Sequence, residues 1–360
     1  MIASLRQSCG FANHIASRVP RRMSINAARL RSWRSVVRLM VLTGALLVAG
    51  CSGVQSALSP AGREAERIAD LFWWMTAGAA VVWLAVIALA IYAVRARPES
   101  RKQRRDSLLI IGGGVVVPTV TLTVLLVYGL AMLPPLLAPA PAGSLQIAVS
   151  GEQWWWRVRY QPPGGEAFTL ANEIRLPVGE PVQFRLDSPD VIHSFWIPSL
   201  GGKMDMIPGR VTYLALTPTK TGVFRGACAE YCGASHALMN FSVVVQEKEE
   251  FIRWLAEQAE PAQTPVEPMA ARGQELFLAN GCSACHTVRG TPANGVIGPD
   301  LTHVGSRLSL AAGTLPNEPD DFRRWVAHTT DVKPGVLMPS FHMLPPEDLR
   351  ALAVYLESLK

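Results

Sequence analysis

The chain has 360 residues, of which 49% are hydrophobic, and a formal net charge of +6 at pH 7. The positive charge is concentrated in residues 1–50, which hold eight arginines and no acidic residue, so the rest of the chain has 26 basic and 28 acidic residues. Nucleic-acid binding would need a basic folded domain, and this distribution argues against it. The length allows two or three domains of ordinary size.

The N-terminal segment is typical of an exported protein. A short apolar stretch follows the basic region, which is the pattern of a secretory signal peptide. It ends in Val-Ala-Gly-Cys51, which resembles a bacterial lipobox, where the cysteine is lipidated and becomes the mature N-terminus. We expect a signal peptide over 1–50, lipidation at Cys51 and an external segment over 51–70. A more typical signal begins at Met23, and we hypothesise that translation starts at this residue, so that residues 1–22 are an over-extension of the gene model. The alternative to a lipoprotein signal is an uncleaved apolar segment with a chance cysteine.

Two long apolar runs predict transmembrane helices. Residues 71–94 and 107–133 contain no charged residue, and each is longer than the about 20 residues that cross a ~30 Å hydrocarbon core. The loop between them, residues 95–106, is rich in arginine and lysine, which places it in the cytoplasm. Both ends of the mature chain are then expected on the periplasmic side of a bacterial inner membrane, with the two spans in contact with lipid.

The pattern changes at about residue 144. Short apolar or alternating runs separated by turn residues are typical of a β-sandwich or barrel, which we assign to residues 144–258. The last part of this range, 249–258, predicts a short amphipathic helix. A stiff, proline-rich linker is expected over 259–268. The C-terminal region, 269–360, has helical patterns at both ends and predicts a third domain.

The segment from Cys228 to Met239 holds four potential metal ligands in twelve residues, with Cys232 and His236 between its ends, and His193 lies upstream. Thiolate, imidazole and thioether are donors that copper prefers, and a mononuclear blue-copper site uses only one cysteine. Two thiolates four residues apart can instead bridge two copper ions, each capped by one histidine. A structural zinc site built from two cysteines and two histidines is the alternative, and a disulfide between the two cysteines is another.

A second motif, Cys282-Ser-Ala-Cys285-His286, is the attachment pattern of a c-type haem. Each thiol forms a thioether with a vinyl group of the haem, and the adjacent histidine is placed to ligate the iron. A redox-active or zinc-binding cysteine pair is the alternative. The predicted external location and the preceding helical pattern favour the haem.

These motifs together resemble subunit II of the haem-copper oxidases, the family that carries the binuclear CuA centre. CAEYCGASHALM resembles the CuA loop of that family, DVIHSFWIPSLGGKMDMIPGR its upstream ligand segment, and GEQWWWRVRY its aromatic segment. Two membrane helices ahead of a cupredoxin barrel match the family layout, and the C-terminal domain resembles class I cytochrome c. The chain is thus similar to cytochrome c oxidase subunit II of the caa type.

The resemblance implies a set of copper ligands, in which Glu230 contributes its carbonyl group: His193, Cys228, Glu230, Cys232, His236 and Met239. It further implies that the Glu230 side chain helps to bind Mg²⁺ at the interface with subunit I. Trp154, in the aromatic segment, would be the residue through which electrons reach the copper.

In the C-terminal domain the resemblance implies two covalent attachment sites and two axial ligands for one haem c: Cys282, Cys285, His286 and Met338. The Pro299 carbonyl would orient His286, and Met343 is the alternative to Met338. Ligation by one histidine and one methionine raises the haem potential relative to two histidines. The other histidines of this domain are interpreted as surface or packing residues: His303, His328 and His342.

The implied fold is multidomain, with two transmembrane α-helices, an all-β cupredoxin-like barrel and an all-α class I cytochrome c domain. The implied function is electron transfer from an external donor, a cytochrome c or similar carrier, through haem c and CuA to subunit I. Subunit I, in a complex that also contains subunit III, reduces oxygen to water and translocates protons, and this chain holds no oxygen-reducing site. The alternatives are the electron-input subunit of a copper-dependent nitric oxide reductase, or a membrane-anchored copper carrier or assembly factor. Quinol oxidase subunits share the fold but lack the copper ligands.

Two positions depart from the family pattern. The start of the second apolar run has no acidic residue in register, where mitochondrial-like members carry a glutamate associated with proton entry. After the aromatic tryptophans many relatives carry acidic residues that dock a basic cytochrome c, whereas here Arg157 and Arg159 occupy that neighbourhood. We hypothesise that the fused haem domain has replaced direct docking at the copper, since tethering gives it a high effective concentration there.

Overall fold

The computed structural model describes residues 53–95, 103–162 and 165–360, with side chains from residue 106 onward in the second range. The predicted signal peptide, the candidate lipidation site Cys51 and most of the predicted cytoplasmic loop lie outside the described residues.

Among the described residues, two helices are long and apolar enough to cross a membrane, α1 (Arg63–Arg95) and a second helix that ends at Leu137. The second helix has three consecutive parts: α2 (Gln103–Leu108), a π-helical stretch (Leu109–Val116) and α3 (Val117–Leu137). Both helices contain the apolar runs predicted from the sequence and extend beyond them. Pro118 is the second residue after the π-helical stretch, where a widened turn accommodates a residue that has no N–H to donate.

The N-terminal turns of α1 extend beyond the apolar run because they pack on the following β-domain. A helix of 33 residues is about 50 Å long, which is more than a ~30 Å hydrocarbon core requires. Glu64 accepts a hydrogen bond from the backbone N–H of Thr217 (2.9 Å), and Glu66 accepts one from the Thr219 hydroxyl (2.9 Å). These contacts attach the start of the helix to the β-domain.

The β-domain contains ten strands: β1 (Leu145–Glu152), β2 (Trp155–Tyr160), β3 (Phe168–Ala171), β4 (Glu173–Pro177), β5 (Val182–Asp187), β6 (His193–Trp196), β7 (Met204–Met206), β8 (Thr212–Leu216), β9 (Gly222–Cys228) and β10 (Asn240–Gln246). They form two five-stranded sheets, in the orders β3-β2-β1-β5-β8 and β4-β10-β9-β6-β7. Trp156 of the first sheet packs edge-on against Phe241 of the second, with ring centroids 5.1 Å apart, and Phe195 stacks on Phe241 at 4.9 Å. The core therefore lies between the two sheets, which confirms the predicted cupredoxin-like domain.

Helix α4 (Lys248–Ala259) closes the β-domain, and the C-terminal domain is helical: α5 (Pro268–Ala279), α6 (Pro319–Ala327), α7 (Thr329–Val332) and α8 (Pro346–Ser358). Helices α5 and α8 cross at Gly273, where a Cβ atom would lie 2.1 Å from the carbonyl oxygen of Ala351. Beside this crossing, Phe277 packs against Tyr355 with ring centroids 5.7 Å apart. The close approach of the two helices requires glycine at position 273. The helical structure of this domain confirms the predicted all-α fold.

The connection between α4 and α5 is held against the C-terminal domain. The guanidinium group of Arg289 donates to the carbonyls of Gln258 (2.7 Å) and Ala259 (2.8 Å). The N–H of Ala262 donates in return to the carbonyl of Arg289 (2.9 Å). The segment predicted as a stiff linker therefore owes its position to these contacts as well as to its prolines.

Candidate copper and haem sites

Strand pairing brings the predicted copper ligands together. Strand β6 runs antiparallel to β9 with Phe195 opposite Cys228, so His193 at the start of β6 lies beside the end of β9. The sulfur atoms of Cys228 and Cys232 are 3.8 Å apart. His193 Nδ1 lies 3.8 Å from the Cys228 sulfur, and His236 Nδ1 lies 3.5 Å from the Cys232 sulfur.

Two weaker donors lie at the same place. The sulfur of Met239 is 3.8 Å from the Cys232 sulfur, and the carbonyl oxygen of Glu230 is 3.1 Å from the Cys228 sulfur. His193 and Met239 are fully buried. All six positions predicted from the sequence therefore converge on one site, in which His236 is half-buried and Glu230 is exposed.

The two cysteines are close together but are not joined by a disulfide bond. Their separation of 3.8 Å is far longer than the about 2.05 Å of a disulfide bond, and both cysteines are free. The hydrogen bond between the two thiols lowers the pKa of Cys228, against the effect of burial and with help from His193. The same hydrogen bond, together with burial, raises the pKa of Cys232. Cysteine binds a metal as the thiolate, so a cation that binds here displaces the thiol protons.

The donor set fits copper better than zinc. Two cysteines and two histidines alone would satisfy a tetrahedral zinc ion. The thioether of Met239 and the carbonyl of Glu230, both next to the sulfurs, add weak outer donors of the kind found in electron-transfer copper sites. The two thiolates with one imidazole near each match a bridged pair of copper ions.

Asp190 orients one of the imidazoles, a role that the sequence did not reveal. The Nε2 atom of His193 donates to Asp190 Oδ1 (2.9 Å), which leaves Nδ1 facing the Cys228 sulfur. Burial alone would raise the pKa of Asp190, but hydrogen bonds from the N–H of Val191 and from His193 hold it below its ordinary value. A carboxylate behind a ligating histidine fixes the tautomer and the direction of the ring.

Trp154 connects the surface of the β-domain to the Cys228–Met239 loop. Its indole N–H donates to the carbonyl of Cys232 (2.9 Å), and the side-chain amide of Gln153 donates to the same carbonyl (2.6 Å). Trp154 is only 8% exposed because the C-terminal domain covers it. The resemblance predicts that electrons reach the copper through this residue. In the structure its indole N–H is hydrogen-bonded to the backbone of the candidate ligand Cys232.

The haem motif forms a tight turn at the end of α5. Gly281 adopts a left-handed conformation, and a single 3₁₀ turn runs from Cys282 to Ala284. The Nδ1 atom of His286 donates to the Pro299 carbonyl (2.8 Å), as the resemblance implied. Burial lowers the pKa of His286, and the nearby charge of Arg307 lowers it further. The imidazole is thereby kept neutral with Nε2 available to a metal.

The two candidate sixth ligands differ in burial. Met338 packs against the core of the C-terminal domain, and its carbonyl accepts a hydrogen bond from the hydroxyl of the fully buried Thr329 (2.9 Å). Met343 is 67% exposed. The geometry therefore favours Met338.

Arg307 is a residue of this site that the sequence did not reveal. Its Nε atom is buried and has no hydrogen-bond partner among the described residues, while its Nη2 donates to the carbonyl of Asp300. A buried guanidinium donor close to His286 suits an anionic group. The propionate groups of a haem supply such an anion, so the residues present fit the cofactor.

The other histidines of the C-terminal domain take part in packing. His303 is buried, with its two ring nitrogens 3.0 Å from the carbonyl oxygens of Lys360 and Glu260. The rings of His328 and His342 stack at the surface with centroids 6.5 Å apart. These contacts are consistent with the surface and packing roles expected from the sequence.

Comparison with known proteins identifies both domains. The family "Cytochrome C oxidase subunit II, periplasmic domain" matches residues 162–247, and the family "Cytochrome c" matches residues 270–360. Cytochrome c oxidase subunit 2 of Alkalihalophilus pseudofirmus is 34% identical over 345 residues, covering 92% of this chain and 99% of the relative. The Bacillus subtilis protein of the same name is 29% identical over 357 residues, with coverage of 92% and 99%. A crystal structure of the periplasmic domain of subunit II from Bradyrhizobium japonicum is 34% identical, covers 33% of this chain and 96% of that chain, and has a TM-score of 0.31.

These relatives decide between the functions considered from the sequence. They are oxidase subunits, so the chain transfers electrons within cytochrome c oxidase, and the nitric oxide reductase and copper-carrier alternatives are set aside. Two helices of membrane length and a match to a periplasmic domain make it a membrane protein with periplasmic domains. Its similarity to oxidase subunits makes it part of a haem-copper oxidase complex with subunit I. The chain belongs to the cytochrome c oxidase subunit II family and carries a cytochrome c domain fused at its C-terminal end.

Proposed function

We propose that the chain holds its two cofactors through ten residues, six for a binuclear copper centre and four for one haem c: His193, Cys228, Glu230, Cys232, His236, Met239, Cys282, Cys285, His286 and Met338. One observation carries the copper assignment: two cysteine sulfurs 3.8 Å apart, each with an imidazole Nδ1 within 3.8 Å. The haem assignment rests on the attachment turn and on the orientation of His286 by the Pro299 carbonyl.

When bound, the haem and the copper pair each take up and release one electron at a time. Residues of the chain around the two sites fix the candidate ligands in position. Asp190 fixes the ring of His193, and Trp154 links the C-terminal domain to the copper loop through the Cys232 carbonyl. We assign an electron route from an external donor to the C-terminal domain, then to the copper loop, and from there to subunit I. Both domains lie on the periplasmic side of a bacterial inner membrane, and the complex includes subunit III.

Contacts of Arg157 support the hypothesis that the fused domain occupies the docking position of a soluble cytochrome c. Its guanidinium group forms an ion pair with Glu152 (2.6 Å) within the β-domain. The same group donates to the carbonyls of Val296 (3.1 Å) and Ile297 (3.3 Å) in the C-terminal domain. A basic residue at this position therefore holds the fused domain, so an external donor is expected to deliver electrons to the haem rather than to the copper.

Stopped-flow reduction of the purified complex by a reduced soluble cytochrome c tests this order. We expect the haem absorption to change first and the copper absorption to follow. Electron paramagnetic resonance of the complex before reduction should show a mixed-valence signal shared over two coppers, and this signal should disappear once the copper pair is reduced. Copper reduced before haem would reject the route, and a site that contains only zinc would reject the copper assignment.

The identity of the sixth haem ligand gives a separate prediction. Met338→His should leave the haem covalently attached but lower its reduction potential, because ligation by two histidines stabilises the oxidised iron relative to histidine and methionine. Met343→His, at the exposed position, should leave the potential unchanged. Potentiometric titration of both variants checks this, and a lowered potential in the Met343 variant alone would move the assignment to that residue.

The proposal for Mg²⁺ rests on the side chain of Glu230. Its carboxylate is 46% exposed and lies 3.7 Å from Lys203, which also pairs with Asp205 (2.7 Å). A carboxylate oxygen is the kind of hard donor that Mg²⁺ prefers. Its exposure suits a site shared with subunit I, which would supply further ligands.

A further inference from the structure

Residues 333–335, which we call the docking segment, insert from the C-terminal domain into the surface of the β-domain. The carbonyl of Pro334 accepts a hydrogen bond from the Ser235 hydroxyl (2.6 Å). Gly335, with a positive φ of 82°, lies so close to Trp154 that a Cβ atom would be 2.8 Å from Cη2 of the indole ring. The segment thus contacts both the candidate copper loop and the residue assigned to electron transfer.

The ammonium group of Lys333 occupies the centre of this contact. It donates to the carbonyls of Trp154 (2.5 Å) and Leu238 (2.9 Å) in the β-domain and of Ala311 (3.0 Å) in its own domain. An ammonium group has three N–H donors and no acceptor, so three carbonyls satisfy it fully. Burial lowers the pKa of Lys333 to about 7, but the three carbonyl acceptors favour the protonated form, because a neutral amine would leave one of them without a donor.

The burial of Lys333 indicates a specific role. The residue is 2% exposed, and burial of a charge is costly unless every donor is used. A contact that served stability alone could be made by apolar side chains at lower cost. Here the charge connects the backbone of Trp154 with that of Leu238, which precedes the candidate ligand Met239, so it fixes three elements relative to one another.

We propose that Lys333 is a positioning residue that locks the fused haem domain onto Trp154, so that electrons pass between the two domains without a docking step. The direction of transfer rests on the proposed function. The lock itself rests on the three carbonyl contacts and on the close approach of Gly335 to the indole ring.

Two backbone amides report on docking independently of electron transfer. The N–H of Asn240 in the β-domain donates to the carbonyl of Ala312 in the C-terminal domain (3.1 Å). The N–H of Leu308 in the C-terminal domain donates to the carboxylate of Glu173 in the β-domain (2.8 Å). Both amides lose their acceptors if the domains separate, so their hydrogen exchange measures the docked population.

The test compares Lys333→Met with Lys360→Met in the full-length, cofactor-loaded complex. Lys360 is an exposed lysine of the same domain, and its ammonium group pairs with the Glu357 carboxylate (2.7 Å). In the Lys333 variant we expect faster exchange at the amides of Asn240 and Leu308. After photoreduction of the haem by a ruthenium complex, transfer to the copper should be roughly tenfold to a hundredfold slower and should become dependent on glycerol viscosity. The parent and the Lys360 variant should show fast, viscosity-independent transfer.

Gly335→Ala provides a second variant in which the charge is kept. Its methyl group should push the docking segment away from Trp154 and produce the same slow, viscosity-dependent electron transfer. This variant therefore tests the lock even if Lys333→Met fails to retain its cofactors. Unchanged exchange and unchanged transfer in a variant with normal haem and copper spectra would overturn the lock. Absence of haem or of the paired copper signal in the parent would instead reject the proposed function.

Discussion

Cys232→Ser is expected to abolish the mixed-valence copper signal and to reduce donor-driven oxygen consumption to background. The sulfur of Cys232 lies 3.8 Å from the Cys228 sulfur, 3.5 Å from His236 Nδ1 and 3.8 Å from the Met239 sulfur, so it contacts three other candidate ligands. Serine supplies a hard oxygen that stays protonated, and a single remaining thiolate cannot form a double bridge. Metal analysis should find one copper ion or none per chain, and electron paramagnetic resonance should lose the shared signal.

Ala237→Ser is the matched control for this variant. It introduces a hydroxyl at an exposed position of the same loop and removes no candidate ligand. Its copper content, signal and turnover should equal those of the parent. A shared copper signal that survives in Cys232→Ser would show that the bridge is built differently, whereas one zinc ion per parent chain would show that the site is not redox-active.

The ligand motifs were predictable because each is local. The spacing of Cys228, Cys232, His236 and Met239 brings four donors together within one loop, and the haem motif places its two thiols and its histidine in one turn. His193 lies 35 residues from Cys228 and reaches it only through the pairing of β6 with β9. It was found because histidine is a recognisable donor and because its segment resembles that of the family.

The strands around the site were harder to predict than the site. Strand β6 is only four residues long and β7 only three, which is too short for a clear alternation. Strand β9 contains Gly226, a residue that weakens strand patterns. In the structure this glycine is required, because a Cβ atom would lie 2.0 Å from the ring of Phe241 on β10.

The contacts between domains could not be predicted from the sequence. Lys333 and Trp154 are 179 residues apart, and the acceptors of the lysine are backbone carbonyls, which have no side-chain signature. Arg307 likewise binds a backbone carbonyl, and Asp190 acts through His193. Lysine, arginine and aspartate are common amino acids, and none of these three residues lies in a recognisable sequence motif. Their roles therefore follow only from the tertiary fold.

Cys282→Ala combined with Cys285→Ala should remove covalent haem completely and lower turnover with a soluble cytochrome c donor by roughly 10²-fold or more, because the tethered carrier and its effective concentration are lost. The two thiols are the predicted attachment points, and both are free and half-buried at the turn before His286. Haem staining after denaturing electrophoresis measures the loss. Ser283→Ala, which keeps both thiols and the spacing, should retain covalent haem and turnover.

The same double variant separates the roles of the two domains. The copper residues all lie in the β-domain, so the mixed-valence copper signal should persist without the haem. A small-molecule reductant that reaches the copper directly should then still support oxygen consumption, because the variant leaves every copper residue in place. Unchanged turnover with the cytochrome c donor would mean that electrons enter at the copper and would contradict the order assigned to the chain. Loss of the copper signal together with the haem would show instead that the β-domain depends on its fused partner for metal binding.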